Sequence, residues 1–388
     1  MKRLLAFLAL LVLLAGCTGT TPDQLPVLLF VTHERDGDQL AALVADRAGQ
    51  DDRFLYLEDT ETVLPGTPLA LDVAGRGARR DEAFVLLETP GGEFELARFD
   101  LRGIDADAAV LPAPERTNLT DVLVDGSDGA LEDGDVCLRD VQVDAAGSVL
   151  AFMNVPSECD SSNDDAPSVL VLDTDGGNVR MLAGSESLVT SGLFIRQRNE
   201  PQWTGNTLYH LLEVGGLVQL WSTRLPDGTP EKEGDFSSKS DDPEPVDLAM
   251  GLGQFLALQP DRLNLLSGDG ASSYLDPEVT NARSIVADDY TNELEAVVIL
   301  AGSQVIAVRE DGDDPLTATA VSTSAAALNS DELWIYLGGN GRLYTVNLLD
   351  WLDGFDDRPV ASQLLDDLGS SSLLTWFRSE PPPPPPGL

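Results

Sequence analysis

Val141-Gln-Val-Asp-Ala-Ala-Gly-Ser-Val-Leu-Ala-Phe-Met-Asn-Val155, followed after an acidic loop by Ser168-Val-Leu-Val-Leu-Asp-Thr-Asp-Gly-Gly-Asn-Val-Arg-Met-Leu182, decides how this chain folds. Short apolar runs bounded by Asp and Gly clusters are the signature of antiparallel hairpins, because those residues tolerate the positive backbone angles of tight turns. Four such runs in succession make a four-stranded meander. A lone meander leaves both faces uncovered, so copies must stack, and a closed ring of copies is a β-propeller.

The same grammar recurs on either side. Toward the N-terminus it runs through Leu69–Val73, Ala83–Leu87, the turn at Pro90-Gly-Gly92 and Phe94–Leu101. Toward the C-terminus it returns in 192–223, 255–275, 284–308 and 319–348. The expectation is an all-β chain, a propeller of about seven four-stranded blades over residues 27–377; blurred boundaries leave six or eight open. Tandem β-sandwiches are the alternative, since they produce similar strand and turn spacing. Val27–Val31 and Ser372–Phe377 are apolar segments at opposite ends and are expected to complete one blade together, removing two exposed edges. Gln39–Val44 reads as the second limb of a hairpin or, being Ala-rich, as a short helix.

Two segments read less clearly. Residues 109–137 look like a degenerate unit broken by Pro112 and Pro114, with strand character at Asp121–Val124 and Asp135–Leu138. Residues 226–246, with Pro226, Pro230, Pro243 and Pro245, read as a long exposed loop. Residues 378–388 carry six consecutive prolines, a stiff polyproline tail.

Charge limits the partners. Lys and Arg number 24 against 66 Asp and Glu, a formal charge of -42. Such a surface repels phosphate backbones, so no nucleic-acid partner is expected; basic proteins and divalent cations are the complementary classes.

Residues 1–16 begin with Lys2-Arg3, continue as an apolar run too short to span a bilayer, and end in small residues, the pattern of a signal peptide. Leu14-Ala-Gly-Cys17 resembles the lipobox of bacterial lipoprotein precursors; an ordinary secretory peptide with a nearby cysteine is the alternative. The resemblance implies cleavage before Cys17 and a diacylglyceryl group on its thiol. Two or three acyl chains anchor a protein stably, so Cys17 is the expected membrane contact and residues 17–26 the tether. The expected address is the bacterial cell envelope outside the cytoplasm, on the outer membrane if the cell has one.

Folding the 141–155 hairpin brings the flanking Cys137 and Cys159 together. An oxidising compartment favours a disulfide between them, worth about 3 kcal/mol in the chain-entropy picture; two unpaired thiols are the alternative.

The strand and turn succession over most of residues 27–375 resembles quinoprotein-like and related bacterial propellers, although no WD dipeptide recurs. The rest of the chemistry is sparse. His33-Glu34 lacks the second histidine of a zincin helix, position 37 being Gly37. His210 lies in an apolar strand and reads as a core residue. No G-x-S-x-G elbow or Walker loop occurs, and Gly75-Arg-Gly77 meets Arg80 where a dinucleotide fingerprint needs glycine. Asp173-Thr-Asp175 and the group Asp121, Asp125, Asp128, Glu132, Asp133, Asp135 offer hard oxygen ligands for structural calcium, but Gly184 stands where an EF-hand needs its glutamate. No catalytic, cofactor or metal residue is therefore assigned. The expected role is a noncatalytic scaffold or protein-interaction module with an envelope protein as partner. The alternative is a calcium- or quinone-dependent hydrolase or dehydrogenase with its site in the propeller funnel.

Overall fold

The structure is a computed structural model. It describes residues 27–34, 37–45, 54–56, 64–74, 82–101, 113–144, 147–163 and 167–182, then between 193 and 377 the strands with some of their turns. Among these residues are seven antiparallel sheets of four strands each. Six follow the chain. Blade 1 holds Thr67–Ala74, Glu82–Glu88, Phe94–Asp100 and Glu115–Asn118, and blade 2 holds Leu138–Val143, Val149–Asn154, Ser168–Asp173 and Arg180–Leu182. Blade 3 is Leu193–Phe194, Thr207–Val214, Leu217–Arg224 and Glu231–Asp235; blade 4 is Asp247–Gly251, Gln254–Gln259, Arg262–Leu266 and Ser272–Leu275. Blade 5 runs from Ala282–Val286 through Ala296–Ala301 and Gln304–Arg309 to Leu316–Ala318. Blade 6 runs from Ala325–Asn329 through Trp334–Gly339 and Arg342–Asn347 to Ser362–Leu365.

The last blade is built from both ends of the chain. Leu374–Phe377 pairs with Val27–Glu34 in the register Val27↔Phe377 to Phe30↔Leu374, and Gly37–Ala45 and Phe54–Tyr56 complete the sheet. Leu374–Phe377 is the innermost strand of this blade 7 and lies against the inner strands of blades 6 and 1. The ring is thus a β-propeller closed by its termini, and tandem sandwiches are ruled out.

Stacking explains the sequence pattern. A strand in the middle of a blade is covered on both faces, so Glu82–Glu88 is buried at every position but its last and reads as an apolar run rather than an alternation. Each face contributes to a layer shared with the next blade. Phe84, Leu86 and Phe94 of blade 1 pack with Val141, Leu150, Phe152 and Leu170 of blade 2, and Leu256, Leu258 and Leu263 of blade 4 pack with Val297 and Ile299 of blade 5.

Three local expectations change. Asp121–Val124 is helical, within a helix spanning Leu119–Gly126, because the Asn118 side chain accepts the Asp121 N–H at 3.2 Å and Leu119 and Leu123, one turn apart, are both buried. Asp133–Asp135 is a turn of 3-10 helix, and the strand expected from Asp135 begins only at Leu138. The 226–246 segment contains the outer strand of blade 3, Glu231–Asp235, whose charged sequence suits an edge facing water. Gly37–Ala45 is strand, not helix. Among the described residues no helix is long and apolar enough to cross a membrane.

Candidate functional site

The rim at which the inner strands begin is called the front. In blade 2, Leu138 faces Asn154 and Asn154 faces Ser168, so the segments before Leu138 and after Asn154 both emerge there. A disulfide joins them: Cys137 and Cys159 are bonded, with Cα atoms 5.8 Å apart. Asn154 ties the same segments from inside, its Oδ1 accepting the Cys137 N–H at 2.6 Å and its Nδ2 donating to the Asp135 carbonyl at 2.9 Å. The ion pair of Arg139 with Glu158 closes the outer side.

Two of the acidic residues offered as cation ligands, Asp135 and Asp173, hold local structure here. Asp135 Oδ2 accepts the Glu132 N–H at 2.7 Å, and its Oδ1 accepts from Asn163 Nδ2 at 3.2 Å. Asp121 lies in the first turn of its helix. Asp173 accepts from Asn178 Nδ2 at 2.7 Å, and its carbonyl accepts the Gly176 N–H across a turn in which Gly176 has φ of 80°. Among the described residues, no three His, Cys, Asp or Glu side chains converge as a metal site.

The front also exposes apolar surface. Val214 and Leu217 flank the turn between the middle strands of blade 3, and Val246 precedes the inner strand of blade 4; they are 36%, 43% and 41% exposed. Below them Val218 and Leu248 pack in one cluster, which links the two blades.

Inner-strand carboxylates line the joints between blades. Asp72 of blade 1 accepts the Val73 N–H at 2.8 Å and the Val143 N–H of blade 2 at 2.7 Å. Asp247 of blade 4 repeats the arrangement with Leu248 at 2.9 Å and with Ile285 of blade 5 at 2.8 Å. Burial pushes the Asp247 pKa up to about 6, with the charge of Asp140 adding to the shift against those hydrogen bonds.

His210 is 1% exposed, and burial holds its pKa down to about 4. Its Nδ1 has no hydrogen-bond partner among the described residues, and the ring stays neutral in the core. Cys17 and the polyproline tail lie outside the described residues, as does the side chain of His33.

At the opposite rim, the back, blade 3 carries a recess of about 530 Å³ lined by Thr207, Tyr209, Ser222, Arg224, Glu231 and Glu233 together with the Gly228–Thr229 turn. No motif marks these residues. They come together only through strand register, which places Thr207 opposite Arg224, and Ser222 between Tyr209 and Glu231.

No protein-family model matches the sequence, and no curated protein does. Similar solved structures share the fold at very low identity. A protein described as a putative 6-phosphogluconolactonase from Bacteroides uniformis superposes with a TM-score of 0.58 at 8% identity, over 91% of this chain and 100% of its own. A functionally unknown protein from Desulfotomaculum acetoxidans gives 0.57 at 9% identity, over 92% and 99%. A chain of a mitotic checkpoint complex gives 0.53 at 13% identity, over 85% and 88%. Functions this different on one architecture mean that the fold leaves the activity to be argued from the surface.

Proposed function

We propose that the protein is a noncatalytic, lipid-anchored binding module of the bacterial cell envelope, held outside the cytoplasm through Cys17, on the outer membrane where the cell has one. The front rim docks another protein. The observation that carries this reading is the exposed apolar group Val214, Leu217 and Val246 on the front of two adjacent blades. Acidic side chains on the same rim, including Glu132, Asp133 and Glu158, favour a partner with a basic border around an apolar centre. The Cys137–Cys159 disulfide is consistent with an oxidising compartment.

The test uses lipidated protein purified from its own envelope with chemically cross-linked neighbours. Leu217→Asp should remove the specific cross-linked partner while leaving melting unchanged, and Cys17→Ser should release the protein from membranes. Retention of the same partner by Leu217→Asp and Val246→Asp would place the docking surface elsewhere. Unchanged membrane attachment of Cys17→Ser would end the lipid-anchor reading.

A further inference from the structure

The recess at the back of blade 3 is independent of the front rim. Its walls are fixed from three directions. The Gly228 N–H donates to the Arg224 carbonyl at 2.6 Å, and the Gly228 carbonyl accepts from the Arg180 guanidinium of blade 2 at 2.8 Å, so the turn is clamped across a blade joint. A Cβ at Gly228 would lie 2.1 Å from the Arg224 carbonyl oxygen, which leaves glycine as the residue that fits. From the other side, Phe255 of blade 4 backs the Tyr209 ring at a centroid distance of 4.8 Å. A register shift in the pairing of the outer strand, between Leu220 and Trp221, lies beside the point where the Glu233 carboxylate accepts the Ser222 hydroxyl. Burial, and then the Glu233 charge, hold the Tyr209 phenol above its ordinary pKa, so it keeps its proton and can donate.

The charges in this recess are arranged unlike those of three other arginines. Arg98, Arg116 and Arg139 each meet a carboxylate. Arg224 and Glu231 line one recess with opposite charge, and neither forms an ion pair with a described residue. Opposite charges on the walls of one recess leave a place for a molecule that bridges them. An anion alone would meet Glu231 and Glu233; a cation alone would meet Arg224. A zwitterion satisfies both, its carboxylate on the planar fork of Arg224 and its ammonium toward the two glutamates. The volume, about 530 Å³, is in the range of small-molecule sites.

We propose that this recess binds a free α-amino acid, with Arg224 taking the carboxylate, Glu231 and Glu233 the ammonium, and Ser222 and Tyr209 orienting these groups. Titration calorimetry of the full chain against the twenty common amino acids, one at a time up to about 10 mM, tests it. At least one should bind, and butylamine and butyrate, each carrying one of the two charges, should bind at least about tenfold more weakly than that amino acid. Arg224→Gln and Glu231→Gln should each weaken it by about tenfold or more with unchanged melting, both side chains being exposed. Absence of binding across the panel, binding indifferent to both substitutions, or single-charge probes binding as well as the amino acid would each overturn the assignment.

Discussion

The joint between blades 1 and 2 and the strand pairing that closes the ring inside blade 7 are held by different means. At the first, the chain runs directly from one blade to the next and the contact is secured several times over. Asp72 accepts a backbone N–H from blade 2, the disulfide pins the segment that crosses the joint, and one apolar layer runs from Phe84 to Leu172. At the closing joint no peptide connects the partners. Four residue pairs between Val27–Phe30 and Leu374–Phe377 stand in for it. Contiguity makes single losses tolerable at the first joint, whereas the second concentrates the integrity of the ring in one short strand.

The largest expected effect follows from removing that strand. A chain ending before Ser372 loses the inner strand of blade 7 and uncovers the edge at Val27–Phe30, so melting should fall by more than about 10 °C and proteolysis should begin at both ends of the ring. A chain ending before Pro381 should melt like the full-length protein. Equal melting of both truncations would show that the terminal strand is dispensable.

A smaller loss is expected at the redundant joint. Cys137→Ser should cost about 3 kcal/mol, read from the denaturant midpoint, with the ring still folding cooperatively because Asn154, Asp72 and the shared core remain. Collapse of the whole fold on this substitution would show that the disulfide, not the packing, holds blades 1 and 2 together.

The smallest effect concerns the carboxylate clip between blades 4 and 5. Asp247 titrates at about 6 in the folded protein against 3.8 for the ordinary side chain, so between those values the native state binds the proton more tightly than the unfolded chain. Its contribution is therefore full below about pH 4 and is lost as pH rises toward 6. Allowing for partial exposure of the residue, wild type should lose about 1 kcal/mol relative to Asp247→Asn between pH 4 and 6.5, measured by urea denaturation. A difference that stays flat or grows with pH would contradict the assigned environment.

Strands and turns were legible because each hairpin carries its own local code. Asp173-Thr-Asp-Gly-Gly177 is a turn wherever it is placed, and the structure puts Gly176 and Asn178 at positive φ there. The Leu119–Gly126 helix was hidden because Asp121-Val-Leu-Val124 fits either period over so short a window; Asn118, three residues before Asp121, was the capping signal that distinguishes them. Glu231–Asp235 was hidden for the opposite reason, since an outer strand facing water carries no apolar alternation. The recess of blade 3 has no sequence signature at all. Thr207, Ser222, Arg224 and Glu231 belong to no motif, and only antiparallel register sets them on one face.

Strands from near both ends of the described chain form one blade. Leu29 and Thr375 are paired across the closing strands, at a separation that a disulfide spans. In the double variant Leu29→Cys, Thr375→Cys, mild oxidation should yield a monomer whose non-reduced peptide map contains residues 29 and 375 joined. Thiols that stay free under those conditions, or that link only between molecules, would show that the termini do not meet and would undo the closed ring.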